Sequence, residues 1–133
     1  MSTAMRLKGI IDRLSTQYEI DVTAQGNTLF LALPSAADRL IIAGLSACRI
    51  GITHCLATGE ECLSLDLDMV FEIDEAGWTP VELIYAEGVW QRYIQQPSIC
   101  EASEEHVDLV MFSDYFAVLL LQQGWLKNSR RIE

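Results

Sequence analysis

The sequence predicts a single α+β domain with an N-terminal helix, a mainly antiparallel sheet and a buried C-terminal helix. Three observations predict it. Apolar residues recur at helical spacing near the start, alternate with polar ones through the middle, and surround a helix-length segment near the end. The 133 residues are 50% hydrophobic and 21% charged, an ordinary globular composition that supports one core without a metal or disulfide staple.

Leu7, Ile10, Ile11, Leu14 and Tyr18 oppose Arg6, Lys8, Asp12 and Arg13, which predicts an amphipathic helix over residues 3–18. Ile20, Val22 and Ala24 alternate with acidic and polar residues up to Gln25-Gly26-Asn27, reading as a strand and turn. Leu29 to Leu33 answers as a second strand, ended by Pro34. Over 35–47, Ser35 with Asp38 is compatible with a short helix, but Ile41-Ile42 followed by Gly44 favours a strand and turn. Arg49 to Leu56 is rich in β-branched and apolar residues, and Ala57-Thr58-Gly59-Glu60 turns the chain.

The cleanest pattern follows. Leu63, Leu65, Leu67, Met69, Phe71 and Ile73 take the odd positions, while Ser64, Asp66, Asp68, Glu72 and Asp74 take even ones. Period-two alternation of this length predicts a strand with one face on the core and the other in water. Glu75-Ala76-Gly77 is a turn, Pro80 to Tyr85 a strand, and Val89 to Ile94 a short aromatic segment running into Pro97. Ser103 with Glu104, Glu105 and Asp108 reads as an N-cap and acidic first turn, for a helix running to Gln123 and stopped by Gly124. That helix is apolar most of the way round and must be covered on more than one side, by the sheet and first helix or by a second copy in a homodimer. Lys127 to Glu133 reads as a frayed basic tail.

No apolar run approaches the ~20 residues of a bilayer span, and the start of the chain lacks the apolar stretch of a signal peptide. The expectation is a cytoplasmic protein that does not engage a membrane. Cys48, Cys55, Cys62 and Cys100 form no CxxC pair and are expected as buried, reduced thiols.

No Gly-rich phosphate loop, HExxH or GxSxG occurs, so neither a catalytic residue nor a cofactor or metal is expected. His54 and Cys55 are strand neighbours and point to opposite faces. Cys48 or Cys62 beside His54 or His106 would need an orienting third group that the sequence does not identify; His106 is expected at the surface. Asp66 and Asp68 stand ~7 Å apart on one strand face, a spacing compatible with a glycosidase pair or with Mg²⁺ held through water. Their alternation with apolar residues puts both in water, where neither carboxyl gains the raised pKa of an acid catalyst.

Charge is the strongest functional signal. Fourteen of the nineteen carboxylates lie within residues 60–114 beside a single base, Arg92, and the net charge is −10. Such a field opposes direct nucleic-acid binding and steers a basic partner toward one face. The plain reading of Asp66, Asp68, Glu72 and Asp74 is a solvated face that discourages edge-to-edge pairing. The sharper reading takes their step of ~7 Å along the strand as a phosphate-like track offered to a basic groove. On that reading Glu60, Glu61, Asp66, Asp68, Glu72, Asp74 and Glu75 contact a protein partner with a basic surface, a nucleic-acid-binding complex.

The stretch from Arg49-Ile50-Gly51-Ile52-Thr53-His54-Cys55 through Asp68-Met69-Val70-Phe71-Glu72-Ile73-Asp74 to Gly77-Trp78-Thr79-Pro80-Val81 resembles a group of uncharacterised small proteins of bacterial plasmids and phages. Their shared feature is an acidic pair before Met-x-Phe-Glu, then an acidic residue and a Gly-Trp-x-Pro turn. The resemblance covers residues 40–94, with 19–38 departing from it, and carries over no site. It implies a mobile-element setting, where small acidic proteins often disable host defences. The resulting expectation is a non-enzymatic inhibitor of a host nucleic-acid-binding defence system, of the anti-CRISPR or anti-restriction type. An immunity or regulatory protein capping a basic toxin is the alternative, and a small Cys- or Asp-dependent hydrolase the third reading.

Overall fold

The computed structural model describes residues 4–34, 37–58, 61–86, 90–94 and 109–132, with side chains described outside 56–66 and 85–94. The order is α1 (Met5–Gln17), β1 (Thr28–Ala32), β2 (Asp38–Ser46), β3 (Arg49–Thr58), β4 (Glu61–Asp74), β5 (Gly77–Ala86), β6 (Trp90–Ile94), α2 (Leu109–Gln123), α3 (Trp125–Asn128) and β7 (Arg130–Ile132). The strands form one sheet in the order β6-β5-β4-β3-β2-β1-β7, every neighbouring pair antiparallel. This is the expected α+β architecture.

One face of the sheet is dry. Leu29 and Leu31, Leu40 and Ile42, Ile50 and Ile52, then Met69 and Phe71 are fully buried. The register places them opposite one another from strand to strand. The helices seal this face, with Leu7, Ile11 and Leu14 from α1, Phe116, Ala117 and Leu120 from α2, and Trp125 from α3 in the same apolar cluster. Phe71 lies against Trp78 with ring centroids 5.8 Å apart. The Ala4 amide donates to the Trp78 carbonyl at 2.8 Å, tying the start of α1 to β5. Pro80 pairs with Phe71 at a β-bulge, a place where its missing N–H interrupts no ladder bond.

Two expected elements differ. Residues 18–27 form a turn-rich loop rather than a strand, because local side-chain bonds outcompete the ladder. The Asp21 carboxylate accepts from the Thr23 amide at 3.0 Å and hydroxyl at 2.6 Å, which holds it below the usual carboxylate range. Asn27 donates through its amide side chain to the Asp21 carbonyl at 2.9 Å, and the Ser15 hydroxyl donates to the Ile20 carbonyl. Val22 is nevertheless 2% exposed, so the loop contributes to the core as a plug. The second difference is the basic tail. Trp125 is buried, Tyr18 Oη donates to the Ser129 carbonyl at 2.8 Å, and β7 pairs with β1. Three residues are too few to show a strand period, so composition misread them.

The α2 helix ends at Gln123 before Gly124, whose φ of +84° is left-handed, the expected stop. Its expected first turn, Ser103 to Asp108 with His106, lies outside the described residues, as do residues 1–3 of the expected first helix.

Two substitutions test this account. At Gly44 a Cβ would sit 2.1 Å from the Ala24 carbonyl oxygen and 3.0 Å from that of Val22. Both are backbone atoms of the loop that bonds to Gly44, Gly26 donating to its carbonyl at 3.0 Å. Gly44→Ala is therefore expected to destabilise by about 3 kcal/mol, the upper end of overpacking, in urea unfolding. Phe71→Ala, which empties a fully buried site, is expected to lose about 3–5 kcal/mol. A change below 1 kcal/mol in either would overturn the packing described.

Candidate partner-binding face

The carboxylates follow from the register of β4. Because Leu67, Met69 and Phe71 turn inward, with at most 4% exposure, Asp68, Val70 and Glu72 turn to the opposite face. Glu72 is exposed and pairs with Arg49 across β3–β4, its Oε2 3.3 Å from the guanidinium. Asp74 accepts from the Ala76 amide at 2.8 Å in the β4–β5 turn. Asp74 and Glu75 are both exposed. On the adjoining strand Glu82 stands beside Val70 and is half-buried.

Asp68 departs from the expectation of a fully solvated carboxylate. It is half-buried and accepts from the Thr53 hydroxyl at 2.9 Å. Burial raises its pKa above the ordinary 3.8, the Thr53 bond offsets part of the rise, and the neighbouring Glu82 charge adds to it. The cause lies in the neighbours. The register sets Ile132, Phe30, Ile41, Thr53, Asp68 and Ile84 side by side across six strands. Phe30 is 40% exposed, and the rest of this row is half-buried. The face is thus an apolar platform with carboxylates toward its β4–β5 end, not an uninterrupted acidic sheet.

The regular track expected from Asp66 to Asp74 is also corrected. His54 pairs with Leu67 and Cys55 with Leu65, leaving Asp66 as the additional residue of a bulge. The bulge breaks the strand repeat between Asp66 and Asp68, so they are not two steps of one ladder. Glu61 and Asp66 lie on β4 by their backbone, with their side chains outside the described set, and Glu60 lies outside the described residues. The structure therefore gathers Glu72, Asp74 and Glu75 around one hairpin, with Asp68 behind them. It adds Glu82, Thr53 and the platform residues, which sequence reasoning missed. The available signal was that Leu29 to Leu33 and Leu40 to Ala43 are apolar at both strand phases.

Arg130 and Arg131 are exposed on β7 at one edge, while Glu72, Asp74, Glu75 and Glu82 belong to β4, β5 and their turn.

The histidine and cysteines fall out differently from expectation. His54 is 2% exposed on the dry face, its ring edge-on to Trp125 with centroids 6.2 Å apart. Its Nε2 is 3.6 Å from Asp38 Oδ1, beyond hydrogen-bonding reach. Cys55 is fully buried but disulfide-bonded, so it is not the reduced thiol expected. Cys48 is a free thiol yet exposed, beside the Ser46 hydroxyl at 3.8 Å; it sits in the β2–β3 turn, where no core is available to bury it. Cys62 and Cys100 have side chains outside the described set. Among the described residues no three His, Cys, Asp or Glu side chains gather as a metal-ion site, and no helix is long and apolar enough to cross a membrane. No protein-family model, curated protein or solved structure matches the chain.

A stability test separates Asp68 from its exposed neighbours. A carboxyl whose pKa is raised on folding binds protons more tightly in the native state, so stability falls as pH rises from 3.8 through the raised value. Asp68→Asn keeps an oxygen for Thr53 and removes the buried charge. It is expected to leave stability unchanged at low pH, increase it at pH 7 and flatten the loss between. Denaturant unfolding at both ends of that range measures this; an equal effect at both would remove the desolvation argument.

Proposed function

We propose that this chain is a binding protein that inserts the acidic end of its sheet into the basic, nucleic-acid-binding groove of a protein partner. The carrying observation is the grouping of exposed Glu72, Asp74 and Glu75 at one hairpin beside half-buried Asp68 and Glu82. Exposed carboxylates steer and orient a basic surface, while the adjoining apolar platform offers desolvated contact area that charge alone does not supply. In this division of labour the acids govern association rate and selectivity, and Ile84, Val70 and Ile41 contribute much of the affinity. A duplex-binding groove is the fitting target because nucleic acid competes for the same positive charges. The resemblance over residues 40–94 supports placing the protein on a mobile element, as an inhibitor of a host defence complex of the anti-CRISPR or anti-restriction type. Binding, not catalysis, is the proposed activity.

The experiment uses the protein as bait in a bacterial lysate, beside the variant Glu72→Gln/Asp74→Asn/Glu75→Gln. Proteins held by the parent are expected to be released by added double-stranded DNA and by high salt. They are expected to bind the variant at least about tenfold more weakly at low salt, with a flatter salt dependence, since exposed charges are screened beyond ~8 Å at physiological ionic strength. Retention of the same proteins by parent and variant, insensitive to DNA, would overturn the proposal.

A further inference from the structure

Asp68 uses only part of its carboxylate within the sheet. The Thr53 hydroxyl donates to Oδ1 at 2.9 Å, and among the described residues Oδ2 makes no hydrogen bond. The surroundings are apolar. Ile84 stands directly opposite on β5, Val70 follows on the same face of β4, and both are half-buried. Next to Val70 on β3 is Gly51. The Leu45 side chain takes the space over that glycine, its Cδ1 3.1 Å from where a Cβ would sit, and Leu45 is itself 48% exposed. The carboxylate therefore borders an apolar floor of Leu45, Val70 and Ile84. Glu82 lies across from Val70, and its charge opposes that of an ionised Asp68. A cation seated between them relieves this repulsion.

We propose that Asp68 receives an arginine side chain of the partner, so that this face selects arginine-bearing over lysine-bearing basic segments, a selectivity that rests on the binding role proposed above. Charge complementarity calls for a cation, and the floor decides which one. An ammonium is compact and strongly hydrated, with three donors that need oxygen partners. Over Val70 and Ile84 it would give up water and gain one carboxylate oxygen in exchange. A guanidinium is flat and weakly hydrated. Its face lies on the apolar floor while its edge donates to Asp68 Oδ2 and to a second oxygen beside it, Oδ1 or the Thr53 hydroxyl. That hydroxyl gives its proton to Oδ1 and keeps lone pairs that accept. Glu72, Asp74 and Glu75 are exposed; they keep their own hydration and attract either cation. A nucleic-acid-binding groove fits this chemistry, because arginines that grip phosphate through paired hydrogen bonds meet a carboxylate in the same way.

Labelled octa-arginine and octa-lysine, equal in length and charge, are the probes, with binding to the full chain followed by fluorescence anisotropy at low salt. The parent is expected to hold octa-arginine about tenfold more tightly than octa-lysine. Asp68→Asn keeps an oxygen for Thr53 and is expected to reduce that preference to about twofold, weakening octa-arginine far more than octa-lysine. Val70→Thr, equal in shape, wets the floor and is expected to cut the preference about threefold. The hairpin variant Glu72→Gln/Asp74→Asn/Glu75→Gln is expected to weaken both peptides alike and to keep the preference. A parent without preference, or a preference that Asp68→Asn leaves intact, would overturn the arginine site while the role of the acidic hairpin stands. A hairpin variant that binds both peptides as the parent does would overturn that role, and the selectivity with it.

Discussion

Everything in this molecule depends on keeping one face of the sheet dry. β4 is an interior strand of that sheet, paired on both sides, and places Leu67, Met69 and Phe71 under the helices. Burying side chains of this size contributes on the order of 1.5–3 kcal/mol each, enough to fix the phase of the strand. Once that phase is fixed, the positions of Asp68 and Glu72 follow without further instruction. The carboxylates in turn defend it. A slip of one residue would carry both into the apolar layer and expose the core residues, a doubly unfavourable exchange. Acids on the open side therefore help specify the register.

The helical layer explains how a meander gains a strand beyond β1. Six strands run in sequence order from β1 to β6, and the chain then crosses the dry face as α2 and returns through α3 to add β7 beside β1. Trp125 anchors that return in the core, and from the end of α1 the Tyr18 hydroxyl fixes Ser129, the residue after α3. The edge next to β1 is thus occupied by a strand of three residues, two of them arginines. Short, charged edges resist pairing with other chains.

How much of this was legible depends on which force dominates locally. Where burial dominates, sequence sufficed: α1 announced itself by Leu7, Ile11 and Leu14, and β4 by alternation at Leu67, Met69 and Phe71. Gly124 announced the end of α2 because few other residues accept its backbone. Where a few specific hydrogen bonds dominate, pattern misled. Ile20, Val22 and Ala24 alternate as a strand would, yet Asp21, Thr23 and Asn27 fold the segment back on itself. Bulges are equally silent in composition, so the extra residue at Asp66 could not be foreseen from a period of two. Nor could Cys55, whose bond joins residues by geometry rather than by spacing.

The candidate site shows the same division. The excess of carboxylates was plain from the count, but their meaning rests on what surrounds them. Asp68 sits in a row of apolar neighbours and gives up hydration, whereas Glu72, Asp74 and Glu75 keep theirs. A half-buried carboxylate opposes folding as its pKa rises, while exposed ones leave folding nearly indifferent and act at long range. In the proposed binding the two kinds of acid therefore serve different ends on one surface. The exposed group is suited to attract and orient a basic partner, and Asp68 has lost part of its hydration before binding begins. A cation arriving there displaces less water from the carboxylate and meets a charge held in place by Thr53, which lowers the desolvation and ordering penalties that usually cancel a buried ion pair.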